Sequence, residues 1–312
     1  MPASFADHPQ MQPINVHIYS AMKKHISWKQ SDCVLPLSIS KHNQDYNLID
    51  HAFHTMTPNP TSASLILLLA AAVAVVAVPA ALADPNCAPG GNFDLSFWSL
   101  QLPTGPAGTL TTIKSADLQG CSGYQDSNFS TDKSSGAIVL IAPGNPDLTH
   151  CTTSSGSTHC RTELREVDSQ TGKNAAWSPK GTNSLTVSMT VKAADDGSHG
   201  TAIGQVFASD AGKPLAEMYY SRQGEIVVGV KPDADSGQIV TKVGAVAVGT
   251  KFEYKLEYSR DVLTVTINGK ATNLDTGSWD SPSCYFKTGN YNQGKSADSS
   301  KVVIAAIKVS HS

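Results

Sequence analysis

From about residue 90 to the C-terminus the chain is a succession of short segments in which apolar and polar residues alternate, each closed by Gly, Asp, Asn, Ser or Pro. A period of two puts successive side chains on opposite faces of a strand, so the alternating segments are apolar on one side only, while 137–142 (AIVLIA) is apolar on both. Segments 137–142, 161–167, 184–192, 201–208, 215–220, 225–231, 238–243, 251–259, 262–268, 284–291 and 301–309 carry the pattern, and Asn268-Gly269 marks a tight hairpin turn. No amphipathic helical stripe of useful length competes with them after residue 84. Evenly spaced strands with no repeat and no linker predict one all-β domain, a β-jelly roll sandwich, over residues 84–312.

Charge narrows the choice of ligand. Only 16% of residues are charged and the formal net charge is -3. A protein that holds polyanions by bulk charge is basic, so nucleic acid is excluded as a partner. An acidic ligand must be met by a few cations gathered in one cleft.

The N-terminal quarter reads differently. Residues 65–78 are continuously apolar and are followed by Pro79 and the small-x-small run Ala81-Leu82-Ala83. That is the pattern of a secretory signal, here 56–83, with an apolar core shorter than the roughly 20 residues of a spanning helix. After its removal no membrane association is expected. Residues 1–55 hold six of the ten histidines and show no periodicity; they read as an extension foreign to the domain, or as disordered.

Five cysteines follow Ala83: Cys87, Cys121, Cys151, Cys160 and Cys284. Cys151 and Cys160 bracket a Ser/Thr/Gly-rich loop and suit a hairpin disulfide. One more pair is expected among the other three, leaving one thiol. The spacings fit no zinc pattern, so no metal is expected. Asn128-Phe129-Ser130 is a glycosylation sequon if the chain is exported.

Three segments put polar groups where a strand is normally half apolar. In Arg161-Thr162-Glu163-Leu164-Arg165-Glu166, Arg161, Glu163 and Arg165 share one face and Leu164 turns to the core. The face is either a surface ion ladder or a clamp in which Glu163 positions the Arg forks for a carboxylate. In Gly204-Gln205-Val206-Phe207, Gln205 and Phe207 share a face. In Tyr285-Phe286-Lys287-Thr288-Gly289-Asn290-Tyr291-Asn292-Gln293 one face carries Tyr285, Lys287, Gly289, Tyr291 and Gln293, offering proton donors, a cation and space beside the glycine.

RTELRE, then GQV, then YFKTGNYNQ, in that order, resembles polysaccharide lyase family 7, the alginate lyase 2 domain, and the opening FDLSFWSLQLP at 93–103 is similar to that family's start. The cysteines and the secretory signal resemble its fungal members. The resemblance covers about residues 87–310. It implies a concanavalin A-like jelly roll with a concave groove and a secreted, monomeric, cofactor-free enzyme that cleaves an acidic polysaccharide by β-elimination. It also implies site roles. Arg161 or Arg165, with Gln205, would neutralise the uronate carboxylate and the enolate-like charge that builds there, and Glu163 would hold the Arg forks in the substrate-binding set. Tyr291 would protonate the leaving O4. Lys287 and Gln293 would line the cleft.

One position departs from the family pattern. Where the family has His two residues after the Gln, this chain has Phe207. That His is the expected acceptor of the C5 proton in anti elimination. Either Tyr291 serves as base and acid together, which suits syn elimination of mannuronate and calls for a phenol of lowered pKa, or His159, just ahead of Cys160-Arg161, reaches the cleft as the base. A glucuronan lyase on the same fold and a non-catalytic carbohydrate-binding jelly roll are the alternatives. A glycoside hydrolase needs two carboxylates flanking the cleft. Glu163 and Glu166 face opposite ways and cannot supply them; Glu217, on another strand, stays open as one member.

Overall fold

The computed structural model describes residues 83–312. The segments assigned above to an extension and to a signal lie outside the described residues, apart from Ala83. Fifteen strands form two antiparallel sheets. In chain order they are β1 (Trp98–Gln101), β2 (Thr112–Ile113), β3 (Phe129–Thr131), β4 (Ile138–Ala142), β5 (Arg161–Glu166), β6 (Thr182–Ala193), β7 (Thr201–Ala208), β8 (Lys213–Tyr220), β9 (Glu225–Val230), β10 (Ile239–Ala245), β11 (Lys251–Ser259), β12 (Val262–Ile267), β13 (Lys270–Leu274), β14 (Cys284–Tyr291) and β15 (Ser300–His311). One sheet has eight strands in the order β10-β9-β8-β7-β14-β5-β1-β2, and the other seven in the order β13-β12-β11-β6-β15-β4-β3. This is the predicted all-β sandwich of jelly-roll type. Among the described residues the helices are single turns, Pro89–Asn92, Ser115–Leu118 and Pro146–Thr149, and no helix is long and apolar enough to cross a membrane.

The alternation seen in the sequence makes the core. Leu185, Val187, Met189 and Val191 of β6 and Phe252, Tyr254, Leu256 and Tyr258 of β11 all point inward and are buried. From the other sheet Leu164, Val206, Met218, Val228 and Phe286 meet them. Each large apolar side chain contributes about 1.5–3 kcal/mol by leaving water. Polar groups that enter this layer are satisfied. Tyr254 Oη donates to Ile203 O at 2.9 Å and lies 2.6 Å from Thr288 Oγ1. A Cβ on Gly204 would sit 2.9 Å from that hydroxyl, so the close approach of the sheets there requires glycine.

Strand β14 is buried on both faces along its whole length. Its inner face packs Phe286, Thr288 and Asn290 into the sandwich. Asn290 Nδ2 donates to Leu140 O and Ser300 O at 3.0 and 2.8 Å, and its Oδ1 accepts from Ser300 Oγ at 2.6 Å. Asn292 Nδ2 donates to Ala142 O at 3.3 Å and Asp298 O at 3.2 Å. The two asparagines of the YFKTGNYNQ string therefore fasten β14 to the opposite sheet, while its tyrosines and lysine face outward.

Cys151 is bonded to Cys160 and Cys87 to Cys121, leaving Cys284 as a buried thiol. The first pair closes the loop expected from the sequence, and the second fixes which two of the remaining three cysteines join. The side chain of Asn128 in the sequon is partly buried and donates to Ile141 O at 2.9 Å.

Candidate active site

The outer face of the eight-stranded sheet carries a groove of about 580 Å³ between β1, β5, β14, β7 and β8 and the loop at 154–157, in the size range of small-molecule sites. Strand register builds it. Arg165, Lys287, Gln205 and Glu217 stand opposite one another across β5, β14, β7 and β8. Arg161, Tyr291, Ala202 and Tyr219 form a second row across the same strands. Neighbouring strands are about 4.8 Å apart, so each row is a ladder of functional groups along one direction.

Glu163 organises the floor. Its Oε2 accepts from Lys287 Nζ at 2.8 Å and from Arg161 Nη1 at 3.4 Å, and its Oε1 accepts from Gln205 Nε2 at 2.5 Å. It is 1% exposed and both oxygens are engaged. The carboxylate thus holds one Arg, a Lys and a Gln in place, which settles the RTELRE face as a positioning clamp and not a surface ladder. Arg165 is not part of it; its guanidinium lies 4.3 Å over the Tyr285 ring, free of any acidic partner among the described residues. Burial pulls Lys287 down to about 8, with Arg161 and Arg165 adding to the depression and Glu163 opposing it. Its Nζ also donates to Gln101 Oε1 at 3.2 Å.

Tyr291 ends β14 against this floor. Its hydroxyl lies 2.7 Å from Ser157 Oγ, and the Arg161 guanidinium stacks on its ring at 3.9 Å. Arg161 and Ser157 favour the phenolate, but burial outweighs them and holds the phenol above its ordinary value. The lowered phenol pKa expected from the sequence is therefore not the resting condition: Tyr291 is a protonated acid. Phe207 stacks on Tyr285 with centroids 5.0 Å apart and sits 5.4 Å from Lys287 Nζ. It puts an apolar platform where the resemblance implied an imidazole.

Three expected positions lie elsewhere. His159 lines a neighbouring pocket with Asn145, Asp147 and Lys295, on the far side of Ser157, which borders both pocket and groove. Its ring meets Tyr291 edge-on at 6.0 Å, and burial lowers its pKa. Gln293 also lies outside the groove lining; its backbone N–H bonds to Asp195 and its side chain to the Tyr291 carbonyl. Gln293 lies beyond Tyr291, where β14 ends, so the period-two arithmetic that placed it in the cleft stops short of it; the bulge between Thr288 and Tyr291 leaves Tyr291 itself facing the groove. Gly289 (φ +138°) serves this bulge, since a Cβ there would lie 2.9 Å from Thr162 O; it does not open space in the groove. Glu166 points away, as alternation requires, and accepts from Trp177 Nε1 and Phe286 N at 2.8 and 2.7 Å.

Sequence reasoning missed Ser157, Gln101, Lys213 and Lys231, which all border the groove. Gln101 was visible inside the FDLSFWSLQLP string. Nothing in a serine-rich loop singles out Ser157; only its spatial meeting with Tyr291, 134 residues away, does so.

The molecule is similar to solved alginate lyases. Alginate lyase A1-II', a member of polysaccharide lyase family 7, superposes with a TM-score of 0.62 at 30% identity, over 72% of this chain and 99% of that one. A doubly substituted form of A1-II' in complex with substrate (GGMG) matches at 29% identity with the same score, over 73% and 98%. An alginate lyase from Pseudomonas aeruginosa matches at 25% identity and a TM-score of 0.62, over 70% and 100%. In sequence, an alginate lyase of Klebsiella pneumoniae is 38% identical over 93 residues, 29% of this chain and 28% of that protein. The family model described as alginate lyase matches residues 93–311, and by that match and the shared sandwich the chain belongs to the alginate lyases of polysaccharide lyase family 7.

Proposed function

We propose that the protein cleaves alginate by β-elimination in the groove of its eight-stranded sheet. The observation that carries this reading is the meeting of a carboxylate-binding set, Arg161, Arg165, Gln205 and Lys287, with a protonated phenol, Tyr291, on one floor. The C5 proton of a uronate is weakly acidic. Pairing its carboxylate with the guanidinium groups and the Gln205 amide stabilises the enolate-like charge that develops when that proton leaves. Tyr291 then gives its proton to O4 as the C4–O4 bond breaks and the C4=C5 double bond forms. For mannuronate, whose C5 proton and O4 lie on one side, the Tyr291 phenol first releases its proton to water; the phenolate, favoured by Arg161 and Ser157, takes the C5 proton and the re-formed phenol gives it to O4. No cofactor enters these steps.

The groove opposes the hydrolase reading. Hydrolysis of a glycoside by an acid and a base needs two carboxylates in the cleft, and among the described residues Glu217 is the single carboxylate lining it. We also read the chain as secreted, a reading supported by its two disulfides, which suit an oxidising compartment.

The test is incubation with polymannuronate, polyguluronate and glucuronan while following the ultraviolet absorbance of new C4=C5 bonds. The reading predicts absorbance with the alginate polymers. Reducing ends without absorbance would show a hydrolase, and binding without either signal would show a lectin.

A further inference from the structure

Phe207 removes the imidazole from the groove, His159 lies behind Ser157, and Tyr291 rests as a phenol. The groove nevertheless holds one group with the character of a proton acceptor. Glu217, half-buried on β8, accepts from Tyr219 Oη at 2.9 Å and Gln238 Nε2 at 2.6 Å, both on Oε2. No group among the described residues donates to its Oε1, which is not sealed from solvent. Glu163 is the opposite case, with both oxygens spent. A carboxylate with one oxygen pinned and the other free is aimed, not merely accommodated.

Its surroundings give it no binding role. Arg161, Arg165, Lys213, Lys231 and Lys287 line the same groove, and a negative charge among them works against a polyanion. Its place fits chemistry. Glu217 stands directly across from Gln205, which receives the carboxylate carried by C5, so the C5 proton is delivered beside Glu217. Tyr291 lies two strands away on β14, with Ala202 of β7 between its row partners. The two groups therefore stand on different strands and in different rows of the groove floor. Burial, and after it the charge of Glu163, raises the Glu217 carboxyl above its ordinary value against the two hydrogen bonds that lower it, toward the range in which a general base works best.

We propose that Glu217 is the C5 base for uronate units whose C5 proton and O4 lie on opposite sides, as in guluronate. The proton passes from C5 to Glu217 Oε1, the C5–H electron pair becomes the C4=C5 bond, the C4–O4 bond breaks, and O4 takes the Tyr291 proton. Exchange with water then reprotonates Tyr291 and frees Glu217. This rests on the lyase reading above and extends it from one sugar geometry to two.

The experiment compares wild type, Glu217→Gln, Glu217→Asp and Tyr291→Phe on polyguluronate and polymannuronate by absorbance. Gln keeps an acceptor for Tyr219 and Gln238; Asp keeps the charge but withdraws it by one methylene. Glu217→Gln is expected to lower kcat/KM on polyguluronate by about 10²- to 10⁴-fold, and far more than on polymannuronate, with Asp falling between. Tyr291→Phe is expected to abolish cleavage of both. Equal losses on the two polymers, or an unaffected polyguluronate rate, would overturn the Glu217 assignment while the lyase reading stood. A wild type that yields no unsaturated product from either polymer would overturn both.

Discussion

Lys287 is a buried ammonium whose cost to the fold is measurable. It is 3% exposed, 2.8 Å from Glu163 Oε2, and shares that carboxylate with Arg161. One carboxylate cannot compensate two cations and the loss of water, so Lys287 titrates near 8 in the fold against 10.5 as an ordinary lysine. At about 1.4 kcal/mol per pH unit, that gap is a penalty of about 3 kcal/mol on the folded state. It is fully present below the folded pKa and disappears as pH rises to the unfolded one, because between them the unfolded chain binds the extra proton. Buried Cys284, pushed up to about 12, acts in the other direction above its unfolded value of 9.0. Comparison with Lys287→Met cancels that contribution. Urea denaturation of both proteins from about pH 7 to 9.5 should show wild type gaining about 2 kcal/mol relative to the variant. The KM for alginate should rise over the same range in wild type alone, as the groove loses a cation. Stability curves that stay parallel would refute the reasoning.

Two further perturbations read the loop over the groove. Ser157→Ala removes the hydroxyl partner of Tyr291 and should lower kcat by about tenfold, the equivalent of one hydrogen bond, with little change in KM; steady-state kinetics on polymannuronate checks it. Replacing Cys151 and Cys160 by Ser opens a nine-residue span and should cost about 2–3 kcal/mol by the loop-entropy relation. Because that span carries Ser157, kcat should fall further than in Ser157→Ala, which denaturation and kinetics on the same variant decide together.

The long strands were readable because each is apolar on one face only: Leu185, Val187, Met189 and Val191 announce β6, and Phe252 to Tyr258 announce β11. The short strands β1, β2, β3 and β13 were not read. Two to five residues carry too little alternation to be seen, and β1 is buried along most of its length. Within the site, the Arg161, Glu163, Lys287 and Tyr291 face could be read from alternation on single strands. What alternation cannot give is register between strands. Glu217 could be named from the LAEMYY strand only as a carboxylate of unknown position, and becomes a groove carboxylate when β8 is laid against β7. Gln293 fails for another reason, since β14 ends at Tyr291 and alternation says nothing of the loop that follows. Ser157 belongs to a loop whose position is set by a disulfide and not by any periodicity.

The central claim, elimination in place of hydrolysis, is tested most directly by digesting alginate in water enriched in heavy oxygen and weighing the products by mass spectrometry. The account predicts oligosaccharides lighter by one water than hydrolysis products, with no heavy oxygen gained at the cleaved bond. Products of full hydrolytic mass that carry the heavy label would contradict it.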